Sequence, residues 1–393
     1  MKVRCIDEVS LAGRKVFIRV DFNVPLTRDG RVANDHRIRA ALPTLRYAME
    51  QGGRLIIASH LGRPKGKPVP ELSLEPVGRS LEEVLARPVK LAPDCVGPEV
   101  ESIVRELGDG ELLLLENVRF HPEEAANEAE FGKALAAFAE VYVNEAFAVS
   151  HRAHASVVGI TNYVAECAAG FLLKQELDYF HRSMENPERP LVAVLGGAKV
   201  STKLPVLRQF ASRVDRLLIG GALANTFLKS MGASQVEEGL VEEATRVMSF
   251  ARERGVEVLL PVDFVVAQSL EADAAAEVVA RDQVAPGWAA YDVGPETRRQ
   301  FAEALKGART IIWNGPMGAF EYAGFEAGTM AMASAVAESE ALSVVGGGDT
   351  ESALQAAGKA AEISYISTGG GAFLELFEGR SLPGLEALET CGT

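Results

Sequence analysis

Val192-Ala-Val-Leu-Gly196-Gly197-Ala-Lys199 decides the fold class: an apolar run of strand length stops on two glycines and then a lysine. A run that is apolar at every position, rather than at alternate ones, belongs to a strand covered on both faces, as in a parallel sheet flanked by helices. The pattern recurs four times downstream, in Leu217-Leu-Ile-Gly220-Gly221, Ile311-Ile-Trp313-Asn314-Gly315-Pro316-Met-Gly318, Val344-Val-Gly346-Gly347-Gly348-Asp349-Thr350 and Ile366-Ser-Thr-Gly369-Gly370-Gly371. Further strand-sized runs lie at Val258 to Leu260 and, upstream, at Val16 to Ile18, Leu55 to Ile57, Leu112 to Leu115 and Val141 to Val143. Helix-patterned segments separate them. Strands alternating with helices predict βαβ units, and the series predicts an α/β chain with two doubly wound parallel sheets.

One intervening segment shows the helical grammar. From Asp35 to Gln51, Ile38, Ala41, Leu42, Leu45 and Met49 fall on one face, and Gly52-Gly53 stops the pattern. At about 150 residues per domain, 393 residues predict two large domains. Phe171 to Met184 reads as a helix, followed by the linker Asn186-Pro187-Glu188-Arg189-Pro190, so the boundary is expected near residue 186.

Composition narrows the class. With 48% hydrophobic and 24% charged residues, the chain is globular rather than disordered or fibrous. No apolar run reaches the roughly 18 residues of a membrane span, and the first residues have no signal-peptide pattern, so a cytosolic location is expected. The net charge of −14 argues against nucleic-acid binding. Residues 186–393 carry 17 Lys+Arg against 27 Asp+Glu, while residues 1–185 carry 23 against 27, so the first half is the better place for an anionic small molecule. Cys5, Cys95, Cys167 and Cys391 form no Cys-x-x-Cys pair and have no histidine at metal spacing, which predicts free thiols and no zinc site.

In an open parallel sheet the carboxyl ends of the strands face one crevice, so five glycine turns there converge. Glycine lets backbone N–H groups approach a ligand, and the helix that follows offers its positive end, which together suit phosphate. Neither Gly-x-x-x-x-Gly-Lys-Ser/Thr nor Gly-x-Gly-x-x-Gly is present, which argues against a P-loop enzyme and a Rossmann dehydrogenase. Lys199 and Lys203 share one helical face beside Gly196-Gly197, either on the same anion or as a solvated pair. Asp349 reads equally as a helix N-cap or as a hard ligand for Mg²⁺.

The strand ends of the first half carry different residues: Arg19-Val-Asp21-Phe22-Asn23-Val-Pro25, Ser59-His60-Leu61-Gly62-Arg63-Pro64, Glu116-Asn-Val-Arg119-Phe-His121 and Asn144 to His154, with Arg37 at the next helix start. Arginine forks grip carboxylate or phosphate, and Asp21 and Asn23 suit hydroxyls, so a small doubly anionic hydroxy acid is the expected ligand. His121 reads as structural, and Trp288 and Trp313 as packing residues.

Taken in order, Arg19 to Leu26, Ser59 to Pro64, Leu115 to Phe120, Gly196 to Lys203, Trp313 to Gly318 and Gly346 to Thr350 closely resemble the phosphoglycerate kinase family, from about residue 4 to residue 385. The resemblance implies two Rossmann-like domains facing each other across a cleft: residues 1–170 for 3-phosphoglycerate, 171–185 as connecting helix, 186–375 for the nucleotide, and 376–393 returning to the first domain. It implies a monomer that reversibly transfers the acyl phosphate of 1,3-bisphosphoglycerate to ADP, in line, with hinge closure and Mg²⁺. By the same matches Asp21, Phe22, Asn23, Arg37, His60, Leu61, Gly62, Arg63, Arg119, His151 and Arg152 would hold 3-phosphoglycerate. Gly197, Lys199, Lys203, Gly221, Asn314, Pro316, Glu321, Gly347, Gly348, Asp349 and Thr350 would hold ADP or ATP, with Asp349 on the metal. Arg37, Lys199, Lys203 and the N–H groups of Gly369, Gly370 and Gly371 would stabilise the transferring phosphoryl group. Glu145, Ala148, Val149, Ser150 and Thr202 depart from the family's usual residues. A two-domain binding protein, or a different kinase or nucleotide-dependent ligase, are the other classes such a sheet could serve.

Overall fold

The computed structural model describes residues 3–197, 200–229, 238–271 and 274–392. The chain divides into two compact units, Met1–Leu177 with Ser381–Thr393, and Asp178–Arg380.

Unit 1 is built on β1 (Lys15–Arg19), β2 (Arg54–Ala58), β3 (Lys90–Leu91), β4 (Leu112–Leu114), β5 (Val141–Asn144) and β6 (Cys167–Ala169), all parallel and ordered β3-β4-β2-β1-β5-β6. Val16, Phe17 and Ile18 are all fully buried, as a strand covered on both faces requires. The helix read at 35–51 runs His36–Glu50 and buries Ile38, Ala41, Leu42 and Leu45, with Met49 partly buried against the same core. Each such leucine or isoleucine contributes about 1.5–3 kcal/mol when fully buried. Gly52, at φ +75°, takes the left-handed conformation that ends it.

The C-terminal helix Pro383–Thr390 packs within this unit. The Gly384 N–H donates to the Ser150 carbonyl at 2.9 Å, and a Cβ on Gly384 would meet Val157 Cγ1 at 2.8 Å, so only glycine allows this approach. Here the expectation of free thiols fails in part. Cys391 is disulfide-bonded to Cys167 on β6, across a separation of 224 residues, while Cys5 and Cys95 are free and buried. No sequence spacing signals a pair this far apart.

The segment read as one helix from Phe171 is α-helical over Phe171–Phe180 and continues as a π-helical turn, His181–Glu185. Unit 2 then places β7 (Leu191–Leu195), β8 (Arg216–Ile219) and β9 (Glu257–Leu259) in a parallel sheet with three later strands. Between them, β10 (Asp263–Ala267), β11 (Glu277–Ala280) and β12 (Ala289–Val293) form a separate antiparallel sheet, ordered β11-β10-β12, which the sequence reading does not contain. The parallel sheet is completed by β13 (Thr310–Asn314), β14 (Leu342–Gly346) and β15 (Tyr365–Ile366), in the order β15-β14-β13-β7-β8-β9. Among the described residues no helix is long and apolar enough to cross a membrane.

Candidate active site

In unit 2 the five glycine turns leave the carboxyl ends of β7, β8, β13, β14 and β15 and pack on one another. The Gly196 N–H donates to Asn314 O at 3.0 Å, Gly197 N–H to Pro316 O at 2.8 Å, and Gly221 N–H to Met317 O at 3.1 Å. A Cβ on Gly196 would lie 2.1 Å from Pro316 O, and one on Gly221 2.6 Å from Gly197 N, so a side chain at either place would wedge the turns apart. Asn314 Nδ2 donates to Gly346 O at 2.7 Å, and the Gly315 N–H donates to Thr350 Oγ1 at 2.7 Å. Asn314 and Thr350 are thus buried ties between turns. Gly370 approaches Gly347, and the helices Gly348–Ala356 and Gly370–Phe377 begin there, which brings two positive helix ends to the same place.

The turns after β7, β8, β13 and β14 form one side of a cavity of about 680 Å³, a size suited to a cofactor or nucleotide, while Gly369 to Gly371 are not in its lining. Of the expected nucleotide residues, Gly197, Gly221, Pro316, Glu321 and Asp349 line it. Its apolar wall comes from the antiparallel sheet and its flanks, through Phe264, Val284, Trp288 and Tyr291, none of which the sequence reading marked as functional. Trp288, read as a packing residue, is part of this wall, whereas Trp313 is indeed buried in the core.

Lys203, on the helix Val200–Phe210, brings Nζ to 3.4 Å from Asn314 O. Burial pulls its ammonium down to about 8, and Asp349 opposes that fall. A buried cation leaning on one carboxylate suits a site that receives more negative charge. Asp349 and Gly348 are exposed at the helix start, while Gly369 donates its N–H to Ser367 Oγ at 3.2 Å. Lys199 lies outside the described residues, as does the side chain of Thr202.

In unit 1 the arginines gather at the carboxyl ends of the strands. Arg37 is ion-paired with Asp21, whose other oxygen lies 3.7 Å from His60 Nδ1. Asn23 Oδ1 accepts the Gly62 N–H at 2.9 Å, and Arg119 donates to the Gly62 carbonyl at 2.9 Å, so Asn23, Gly62 and Arg119 form one chain of contacts. Arg63 follows next and is exposed. Arg152 donates to His151 Nε2 at 3.1 Å. Phe22 and Leu61 are buried, so only their backbone can face a ligand.

Burial and the repulsion of Arg19 and Arg152 push the Arg119 guanidinium down to about 10, still cationic at neutral pH. Burial, with Arg19, Arg119 and Arg37 adding to it, holds the His60 imidazole well below its usual range, and so neutral. Cations crowded to this degree are relieved by a bound anion.

Beneath them lies a network that sequence reasoning missed. Arg19, fully buried, donates through Nε to Ser156 Oγ at 2.7 Å and lies 4.0 Å from Glu124, which also accepts from the Ser156 N–H at 2.8 Å. His154 Nδ1 stands 3.6 Å from the same carboxylate. Glu124 sits in a surface-looking run, Glu123-Glu124-Ala-Ala, and nothing local marks it as buried.

The departing residues have definite places. Glu145 is fully buried and accepts from Thr44 Oγ1 and from the Leu172 N–H at 3.1 Å, which caps the helix that begins at Phe171; burial pushes its carboxyl up to about 8. Ser150 Oγ donates to Ala146 O at 3.0 Å and accepts from Asn144 Nδ2 at 3.2 Å.

The family model described as phosphoglycerate kinase matches residues 6–380. A phosphoglycerate kinase of Desulfotalea psychrophila is 57% identical, covering 98% of this chain and all of that protein, and one of Geobacter metallireducens is 54% identical over the whole of both. Among solved structures, phosphoglycerate kinase from Coxiella burnetii superposes with a TM-score of 0.90 at 41% identity over the full length of both chains. That from Pyrococcus horikoshii OT3 gives 0.83 at 32% identity, covering 99% and 98%. With its two parallel-sheet units, its turn-lined cavity and these full-length matches, the chain belongs to the phosphoglycerate kinase family.

Proposed function

We propose that this chain transfers the acyl phosphate of 1,3-bisphosphoglycerate to ADP, reversibly, giving 3-phosphoglycerate and ATP. The observation that carries the reading is the crowding of Arg19, Arg37 and Arg119 around a neutral His60, with Arg152 beside Arg119, a cradle with more positive charge than its own carboxylates balance. Arg37, Arg63, Arg119 and Arg152 would hold the phosphate and carboxylate ends of the acid, while Asp21 and Asn23 take its hydroxyl. The nucleotide would lie in the unit 2 cavity, its base against the apolar wall, its ribose at Glu321 and its phosphates toward Gly197, Lys203 and the two helix starts.

The residues there fit a hard cation: Asp349 presents an exposed carboxylate on the cavity wall, the oxygen donor that Mg²⁺ takes. Bound Mg²⁺ neutralises phosphate charge. A phosphoryl group in flight carries charge on three equatorial oxygens, and Arg37, Lys199, Lys203 and the amides of Gly369 to Gly371 would meet that charge. The accepting carboxylate is ionised at neutral pH, so no general base is required. Direct transfer needs donor and acceptor in line and water kept from the acyl phosphate, so the two substrates must be brought together during turnover. Small-angle scattering unchanged on forming the ternary complex would count against such a closure.

The acidic balance supports an enzyme of the cytosol without nucleic-acid or membrane partners, and we assign it a monomeric state, which sedimentation tests. The deciding experiment is a coupled assay: the chain with 1,3-bisphosphoglycerate, ADP and Mg²⁺ is expected to make ATP. No ATP under those conditions would overturn the reading.

A further inference from the structure

Outside both half-sites, the fold brings together three side chains whose chemistry the kinase reaction does not use. Asp94 and Cys95 follow β3, and His121 lies between the turn Val118–Phe120 and the helix Pro122–Ala126. One oxygen of Asp94, the Cys95 sulfur and one ring nitrogen of His121 all lie within 4.8 Å of one another. We propose that these three residues form a site for a borderline-soft divalent cation of the Zn²⁺ class.

The donor set selects the metal. A thiolate, an imidazole and a carboxylate are the ligands of zinc, whereas Mg²⁺ and Ca²⁺ take oxygen alone. His121 Nε2 and Asp94 Oδ1 are 2.6 Å apart; a tetrahedral ion with bonds of about 2.0–2.2 Å sets two ligand atoms about 3.3–3.6 Å apart, so the pair must open by roughly 0.7–1 Å, within reach of small rotations of two partly exposed side chains. The His121 ring stacks on Phe131 at 5.0 Å between centroids, which sets the plane in which its nitrogen points. Cys95 is fully buried, and its Sγ donates to the Glu116 carbonyl at 3.0 Å. Asp94 and His121 are partly exposed, with side-chain exposures of 48% and 25%, so an ion enters from their side and a water completes its shell.

The surrounding charge agrees. Asp94, Glu124 and Glu116 place their carboxyl groups around the Cys95 sulfur. Their negative charge favours a dication beside them. On binding, the Cys95 S–H bond breaks, the sulfur–metal bond forms, and the proton passes to solvent, so affinity rises with pH. His121 is two residues beyond Arg119, so the ion would clip down the segment that presents that arginine.

The test uses the full chain, stripped by chelator and held in excess Mg²⁺ to fill hard oxygen sites, then titrated with Co²⁺. A thiolate-to-cobalt charge-transfer band in the near ultraviolet is expected, displaced by Zn²⁺, absent in Cys95→Ser and retained in Cys5→Ser, which removes the other free thiol. His121→Ala and Asp94→Asn should each weaken Co²⁺ binding at least tenfold. No such band at millimolar Co²⁺, or a band of equal strength in Cys95→Ser, overturns the site. If Cys95→Ser does not fold by circular dichroism, unchanged affinity in the two partly exposed variants overturns it equally.

Discussion

Replacing Lys203 with methionine keeps most of the length of a side chain on a residue that is 8% exposed and removes its charge. In the folded chain burial lowers its pKa from 10.5 to about 8; in the unfolded chain it titrates in the ordinary lysine range. Below pH 8 both states carry the proton, and the folded state holds a charge at a cost of roughly 3 kcal/mol. As pH rises from about 8 to 10.5 the folded state sheds its proton first, and stability rises. K203M should therefore be more stable than wild type at pH 7, by about 1–3 kcal/mol once the lost contact to Asn314 O is allowed for, and should lack the alkaline rise. Its turnover should fall about 10²- to 10³-fold, the cost of removing one preorganised group that meets developing charge. In wild type, kcat/KM for ADP should decline as pH passes about 8. Urea midpoints at pH 7 and 10, beside initial rates in the coupled assay, measure both. Turnover within threefold of wild type, or a variant that loses stability along with activity, would refute the idea that this charge is kept for a phosphate.

Glu145→Gln tests the opposite sign. Its folded pKa of about 8 lies above that of an unfolded glutamate near 4.3, so its stabilising contribution is full below about pH 4.3 and gone above about pH 8; urea melts at pH 5 and 9 should differ less in the variant than in wild type. At Gly196, alanine would drive a methyl into Pro316 O, and we expect a loss of about 1–3 kcal/mol in chemical denaturation. Gly348→Ala meets nothing within 4 Å and should fold normally, so calorimetry showing weaker ADP binding would place phosphate against that backbone, while unchanged binding would place it elsewhere. Arg37→Ala should lower turnover about 10²- to 10³-fold, and near-normal rates would remove it from the transition state.

The architecture was readable wherever one residue type repeats a local pattern. Val192 to Leu195 and its counterparts needed only an apolar run and a glycine, because burial on both faces imposes that composition directly. The antiparallel sheet escaped because β11 is half exposed and Val278 and Glu277 face no fixed core, so neither a continuous nor a cleanly alternating pattern survives. With it went the apolar wall of the cavity, including Trp288. In unit 1 the arginines were visible as residues, yet what crowds them is contact between segments far apart: Arg19 with Ser156, Glu124 with Ser156. Cys95 and His121 belong to the same class. Their meeting is made by the exits of two strands, and no spacing along the chain encodes it.

The bond between Cys167 and Cys391 gives the polypeptide a covalent ring, and residues 178–380, the whole of unit 2, are threaded into its circumference. Closing 224 residues in this way removes about 5 kcal/mol of freedom from the unfolded chain by the loop-entropy estimate. A protease that cuts once anywhere in unit 2 therefore opens the circle without releasing a fragment. Such a nicked molecule would keep its mass until a reductant divided it in two.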